Sequence, residues 1–258
     1  MLTVEALSVE YALPDGPLRA VDEVSFTLAS GEALVLLGES GSGKSTVARA
    51  CLGMAGRGAR TRGRVLLDGD DLLTADERTL SRIRGRRIGY VPQDPSGYLD
   101  PLRRIGPQIA GMLRRHRAAA GRRAAAAAVP GLLAAAGVPD PERVARAFPH
   151  ELSGGLRQRA AVALAVSCGP RLLVADEPTT ALDALVRAQV LDLLRALCAE
   201  RDLALLLVTH DLAAAHRIGG RVAVLRDGRL VRTGPAAEVL AGYPHPVDVP
   251  AARPGARR

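Results

Sequence analysis

GESGSGKST, residues 38–46, follows the unbroken apolar run EALVLLG, residues 32–38, and leads into VARACLGM, residues 47–54. The run reads as a strand buried on both faces and the segment after the loop as a helix. Between them the spacing G-x-x-x-x-G-K-[ST] is complete from Gly38 to Ser45. Glycines at these intervals let backbone N–H groups close around phosphates, and the start of a helix adds positive potential. Lys44 is then placed for the β- and γ-phosphates and the Ser45 hydroxyl for Mg²⁺. Gly38, Ser40, Gly41, Ser42, Gly43 and Thr46 complete the phosphate-binding set expected of such a loop.

Lys44 is the only lysine in the 258 residues; the other side chains counted as Lys or Arg are all arginine. With the excess of Ala and Gly, this is a compositional bias. The one lysine that survives it marks a position where a compact ammonium cannot be exchanged for a planar guanidinium.

Outward from the loop, the chain divides by pattern. Residues 1 to 31 alternate apolar and polar and contain the turn LPDGPL, residues 13–18, as antiparallel strands do. GRVLLDGDDL, residues 63–72, adds a strand and turn. From about Asp94 to Cys168 the pattern is helical: IGPQIAGMLRRHR is amphipathic, and GRRAAAAAVPGLLAAAGV suggests short helices broken at Pro130. Two more buried strands follow, RLLVADEP (171–178) and LALLLVTHD (203–211), with the helix LVRAQVLDLLRALCAE (185–200) between them. Strand, helix and strand in this order make a parallel sheet with crossover helices. RVAVLRDGRLVRTG, residues 221–234, reads as a hairpin around Asp227-Gly228. The expected fold is α/β: a P-loop NTPase core with a parallel sheet, an N-terminal antiparallel β subdomain and an inserted helical subdomain at about 94–168. One domain is expected to span 1–234, followed by a Pro- and Arg-rich tail, 235–258, without regular structure.

Composition bounds the function. Charged residues are 24% and hydrophobic ones 48%, as in a globular domain, and aromatics are only 2%, so Ala, Val and Leu must fill the core. The net charge of +8 comes from scattered arginines, with few aromatics to stack on bases, and no nucleic-acid partner is expected. Cys51, Cys168 and Cys198 have no metal-ligand spacing and fit a reducing compartment. No apolar run reaches the ~18 residues of a membrane span, so a membrane process would need another chain for that part.

Carboxylates and a histidine end the later strands. Asp176 closes RLLVAD as a candidate Mg²⁺ ligand, and Glu177 beside it is a candidate general base for water. Alone, an acidic strand-to-loop turn is commonplace. His210 ends ALLLVT at the same expected sheet edge as Lys44 and Asp176, within reach of a γ-phosphate. Gln93, in YVPQDP, stands between a strand and the helical insert as a hinge.

LSGGLRQR, residues 152–159, opens another helix. Ser153 reads as its N-cap, and Gly154 and Gly155 let backbone approach an anion, but the stretch has no lysine of the kind that holds a nucleotide in the first loop. Two incomplete anion sites on one chain make sense if a second chain completes each. ATP would then lie between the phosphate loop of one copy and Ser153 of another.

The ordered set GESGSGKST, VPQDP, LSGGLRQR, VADEPTTALD and VTHD resembles the nucleotide-binding subunit of an ABC transporter, over about Leu2 to Gly234. The wording QDPSGYLDPLRRIGPQI with ADEPTTALD is similar to the importer group for oligopeptides, dipeptides and nickel. The resemblance implies ATP and Mg²⁺ as ligands, with Ser45, Gln93 and Asp176 around the metal. It implies Tyr11 stacked on adenine, Gln93 linking Mg²⁺ and the γ-phosphate to the membrane chains, and Asp183 at the dimer interface. It implies two integral-membrane permease subunits, a second ATPase subunit of the same or a related chain, and an external solute-binding protein. The expected location is the cytoplasmic face of the membrane. The expected activity is ATP hydrolysis that powers uptake of a peptide, nickel or related small solute. YLDP stands where the group commonly has SLNP, and Leu156 where it often has Met; neither change removes a catalytic atom. The alternative is a soluble ATPase of the same type acting on DNA. Such proteins carry a long coiled coil or zinc module between the two glycine-rich loops, and the interval from Lys44 to Ser153 holds neither heptads nor cysteine pairs.

Overall fold

The computed structural model of the chain describes residues 1–14, 16–55 and 58–241. Two sheets form the frame. The first is antiparallel and contains β1 (Leu2–Leu13), β2 (Gly16–Leu28), β4 (Ala59–Leu67) and β5 (Asp70–Asp71), in the order β2-β1-β4-β5. Leu2 and Val4 of β1 point inward, and so do Leu7 and Val9, although the two pairs differ in parity. The register shifts between them, where Ala6 takes a φ of 45°. This bulge absorbs one residue and keeps the apolar side chains on the core face.

The second sheet has the order β10-β9-β3-β8-β7-β6. β3 (Ala33–Leu37), β6 (Ile88–Val91), β7 (Leu172–Asp176), β8 (Ala204–Thr209) and β9 (Arg221–Arg226) run parallel. β10 (Arg229–Pro235) returns antiparallel through Asp227 and Gly228, whose φ values of 47° and 77° suit a tight hairpin turn. The middle strands are buried on both faces. In β3, Leu34 and Leu36 face the antiparallel sheet, while Val35 and Leu37 face the helices opposite. Each such leucine taken from water stabilises the fold by about 1.5–3 kcal/mol, so continuous apolar runs, not alternation, mark these strands.

α1 (Lys44–Ala50) lies between the two sheets, with α2 (Glu77–Ile83) against the same core. α7 (Ala184–Arg201) and α8 (Leu212–Ile218) cover the other face. α3 (Ile105–Arg115), α4 (Arg122–Ala135), α5 (Pro141–Arg146) and α6 (Gly154–Val166) form the inserted helical part, around Ile105, Ile109, Val129, Leu133 and Leu164.

Two expectations change. The alanine-rich segment does not break at Pro130: α4 is one helix of 14 residues with Pro130 inside it. Ala125, Val129 and Leu133 are buried along one stripe of this helix. Packing of that stripe outweighs the one backbone hydrogen bond that proline removes. The tail also does not start unstructured at 235. α9 (Ala236–Leu240) buries Ala236, Val239 and Leu240 against the parallel sheet. The rest of the expected tail, from 242 on, lies outside the described residues. Among the described residues, no helix is long and apolar enough to cross a membrane.

Candidate functional site

The site gathers at the carboxyl ends of the parallel strands, where β3, β7 and β8 lie side by side. β3 ends at Leu37 and the loop 38–43 turns into α1. Gly43 has a φ of 101°, and a Cβ on it would collide with the Ala20 carbonyl of β2. A Cβ on Gly38 would collide with the Leu225 carbonyl of β9. The loop is thus pressed between strands at both ends, and only glycine fits. The β9–β10 turn secures it: Gly228 N–H donates to Ser42 O at 3.0 Å, and Asp22 N–H donates to Gly228 O at 2.8 Å. Ser40 and Gly41 are exposed at the outer bend, Ser45 and Thr46 are half-buried in the first turn of α1, and Ser42 Oγ is buried with no hydrogen-bond partner among the described residues.

Lys44 is 4% exposed, and its Nζ folds back to donate to Glu39 O at 2.7 Å. Burial pulls its pKa below the ordinary lysine range, against the opposing pull of Glu177, Asp176 and Glu39. Asp176, also 4% exposed, ends β7, and the Ser45 hydroxyl donates to its Oδ1 at 2.9 Å. Burial raises the Asp176 pKa, opposed by the Ser45 hydrogen bond and by Arg49 and Lys44. Both buried groups therefore carry a desolvation cost. A phosphate beside Lys44 and a cation beside Asp176 would relieve these two costs.

Glu177 follows at a φ of 47°, a left-handed conformation uncommon outside glycine, while its N–H still donates to Val208 O at 2.9 Å. Such strain at a polar residue accompanies functional sites. The turn aims the carboxylate into a cage of three groups. Gln93 Nε2 donates to Oε2 at 3.3 Å, Thr180 Oγ1 donates to Oε2 at 2.9 Å, and His210 Nδ1 lies 3.1 Å from Oε1. Gln93 comes from the loop after β6 and His210 from the end of β8. The structure thus unites Lys44, Ser45, Gln93, Asp176, Glu177 and His210 from four strand ends.

The remaining candidates stand elsewhere. The Tyr11 hydroxyl donates to Ala55 O at 3.0 Å, in the segment after α1. Ser153 caps α6 by accepting from Leu156 N–H at 3.3 Å. A Cβ on Gly154 would lie 3.7 Å from Leu182, and one on Gly155 would lie 2.6 Å from Val186. Asp183 caps α7 by accepting from Val186 N–H at 2.9 Å. Ser153, Gly154 and Asp183 are exposed, and no hydrogen bond joins them to residues 38–46 among the described residues. The second glycine-rich turn therefore packs on the Asp183 turn, apart from the phosphate loop.

Reading the sequence misses two residues. Thr180 fixes the Glu177 carboxylate; its place in EPTT, three residues on, is the available signal. Arg157 is the second. It donates to Pro149 O, Leu152 O and Ser96 Oγ, each at 3.0 Å, and so ties the turn before Ser153 to the segment after Gln93. No sequence pattern signals that link.

Comparison with known proteins identifies the family and the fold. The family model described as ABC transporter matches residues 21–180. The chain is 39% identical over 248 residues to an oligopeptide transport ATP-binding protein of Bacillus subtilis, covering 95% of this chain and 69% of that one. It is 42% identical over 253 residues to a putative peptide import ATP-binding protein of Brucella abortus, covering 95% and 75%. Among solved structures, the dimeric post-hydrolysis ATP-binding cassette MJ0796 bound to ADP and Pi superposes with a TM-score of 0.80 at 29% identity, covering 92% of this chain and 99% of that one. By the family model over most of its length and by these relatives, this chain belongs to the ABC transporter family, as an ATP-binding subunit that hydrolyses ATP.

Proposed function

We propose that this ATPase powers peptide uptake through nucleotide sites shared between two cassettes. Lys44 and the loop 38–46 hold the phosphates, with Tyr11 beside the adenine. Glu177 accepts the proton of the attacking water, aimed by Gln93, Thr180 and His210, and His210 also contacts the γ-phosphate. Ser153, Gly154, Gly155 and Asp183 act on the nucleotide of the partner cassette.

A Mg²⁺ ion fits the residues present. Among the described residues no cluster of three His, Cys, Asp or Glu offers an all-protein cage. Mg²⁺ instead favours one or two protein oxygens supplemented by phosphate and water. The paired Ser45 hydroxyl and Asp176 carboxylate, with Gln93 near, suit that preference. When bound, the ion would neutralise charge on the phosphates.

The observation that carries the shared-site reading is the separation of the two glycine-rich turns. The exposed Ser153 turn packs on Leu182 and Val186 and has no lysine, because the only lysine is Lys44 in the other turn. The solved neighbour was captured as a dimer with ADP and Pi, which agrees with a second cassette. The named relatives are peptide transport subunits, which favours peptide over nickel as the solute. The transport names of these relatives favour work at the cytoplasmic face through two permease subunits, supplied from outside by a solute-binding protein.

Ser153→Arg tests the reading. ATP binding by the isolated chain is expected to persist, while hydrolysis in the assembled transporter falls by at least about 100-fold. Loss of ATP binding by the isolated variant would contradict shared sites. Peptide, rather than nickel, is expected to raise the melting temperature of the cognate binding protein.

A further inference from the structure

Arg187, one turn into α7, is fastened in two directions. Its Nη1 donates to Asp211 Oδ2 at 3.1 Å, and its Nη2 donates to the Leu182 carbonyl at 3.3 Å. Asp211 directly follows His210. Its other oxygen, Oδ1, accepts from Ala213 N–H at 2.8 Å as the N-cap of α8, and its own N–H donates to Thr209 Oγ1 at 3.0 Å. Leu182 directly precedes Asp183, and Leu182 and Val186 are the side chains that Gly154 and Gly155 face. One guanidinium thus joins the strand end that carries His210 to the turn that carries Asp183 and abuts the Ser153 turn.

The pair borders a cleft of about 250 Å³ that Thr180 and His210 also line. Arg187 is 38% exposed and Asp211 19%, so the contact is partly shielded from water and the charge-assisted bond has consequence. The third donor of the guanidinium, Nε, is buried without a partner among the described residues. A bare buried donor calls for a reason. Here it leaves the planar fork a vacant bond to form if the Leu182–Asp183 turn shifts.

The geometry points to Arg187 and Asp211 as a positioning pair that conveys nucleotide occupancy at His210 to the half-site this chain offers its partner. This inference rests on the shared-site reading above, in which His210 serves the chain's own nucleotide while Ser153 and Asp183 serve the partner's. Movement of His210 onto a γ-phosphate carries Asp211 with it. Asp211 draws on Arg187, and Arg187 draws on the Leu182 carbonyl, so the Asp183 and Ser153 turns respond together. Neither residue of the pair touches the reacting atoms.

The test is the ATP dependence of hydrolysis by the transporter reconstituted with its permeases in phospholipid vesicles. The proteins are wild type, Arg187→Gln, Asp211→Asn and the double variant. Asn still caps α8, and Gln keeps most of the Arg stem. Assays are run below the lowest melting midpoint of the isolated chains. Each single variant is expected to lower kcat by about tenfold and to bring the Hill coefficient towards one. ATP affinity of the isolated chain should stay at the wild-type value. The double variant is expected to be no worse than either single one, because both remove the same link. Arg187→Lys should recover part of the cooperativity. Losses that multiply in the double variant would overturn the inference, as would a lowered kcat with the wild-type Hill coefficient. Hydrolysis by wild type with a Hill coefficient of one would overturn the inference alone, since sites can be shared without being coupled; the shared-site reading falls instead if Ser153→Arg abolishes ATP binding by the isolated chain.

Discussion

At the scale of single residues, the site is a set of groups held at a cost that ligands remove. Lys44 and Asp176 are both buried, and burial shifts each towards its neutral form. For Lys44 the consequence is direct. Lys44→Ala removes the loop's cation, and ATPase activity of the assembled transporter is expected to fall by at least about 100-fold. Unchanged turnover would remove Lys44 from the phosphate site. For Asp176 the consequence appears in stability. Its folded pKa lies above the ordinary 3.8. A raised acid contributes stability below its unfolded value and loses it as pH climbs through the folded value. At neutral pH the ionised carboxylate is therefore a burden on the nucleotide-free chain. Asp176→Asn keeps an acceptor for Ser45 and sheds the charge. The expected result is a higher melting temperature than wild type at pH 7, a difference that vanishes in acid, together with loss of hydrolysis. A lower melting temperature at pH 7 would mean that the Ser45 bond, not burial, dominates. The cage around Glu177 belongs to this scale too, since its left-handed φ of 47° aims the carboxylate at all three partners.

At the scale of elements, the sequence was most legible where one physical rule acts alone. The apolar runs before Gly38, Asp176 and His210 announced buried strands because parallel strands hide both faces. Ser153 announced a helix start because a short polar side chain satisfies bare N–H groups there; Asp183 caps α7 in the same way, a role its sequence context does not mark. Legibility failed where tertiary packing overrides local preference. Pro130 reads as a break, yet α4 passes through it because Val129 and Leu133 are anchored in the helical core. It failed again where function depends on contacts far apart in sequence. Arg157 to Ser96 and Arg187 to Asp211 join a helix to a distant loop or helix cap, and neither shows any periodicity or spacing. α4 offers a measurement of the override. Leu133 is fully buried, and Leu133→Ala is expected to destabilise the chain by about 2–5 kcal/mol. Pro130→Ala restores an N–H donor and is expected to stabilise it by up to about 3 kcal/mol. Denaturant unfolding reads both. Destabilisation by Pro130→Ala would show that the ring packs better than the hydrogen bond binds.

At the scale of the whole molecule, function depends on where complete sites form. One chain has a phosphate loop, a caged glutamate and a strand-end histidine on one edge, and a lysine-free capped turn on another. If two copies meet head to tail, each nucleotide sees the loop and Glu177 of one copy and the Ser153 turn of the other. Defects on opposite sides of the interface should then complement. In the Glu177→Gln chain both site halves can bind, but the base is gone. In the Ser153→Arg chain the base is intact, but the turn offered to the partner is blocked. Each variant alone gives dimers in which both sites are defective. A mixed dimer has one doubly defective site and one wholly intact site, formed by the phosphate loop and Glu177 of the second variant with Ser153 of the first. Equal mixing with random pairing makes half of the dimers mixed, each with one working site, so activity should return to at most roughly a quarter of wild type, and to less where turnover at one site needs the other. The measurement is hydrolysis by transporters assembled from the two variants separately and together. Two inactive preparations that regain activity only on mixing would mean that the base and the Ser153 turn act on one nucleotide from different chains. Activity that stays at the level of either variant alone would mean that a single chain must supply both.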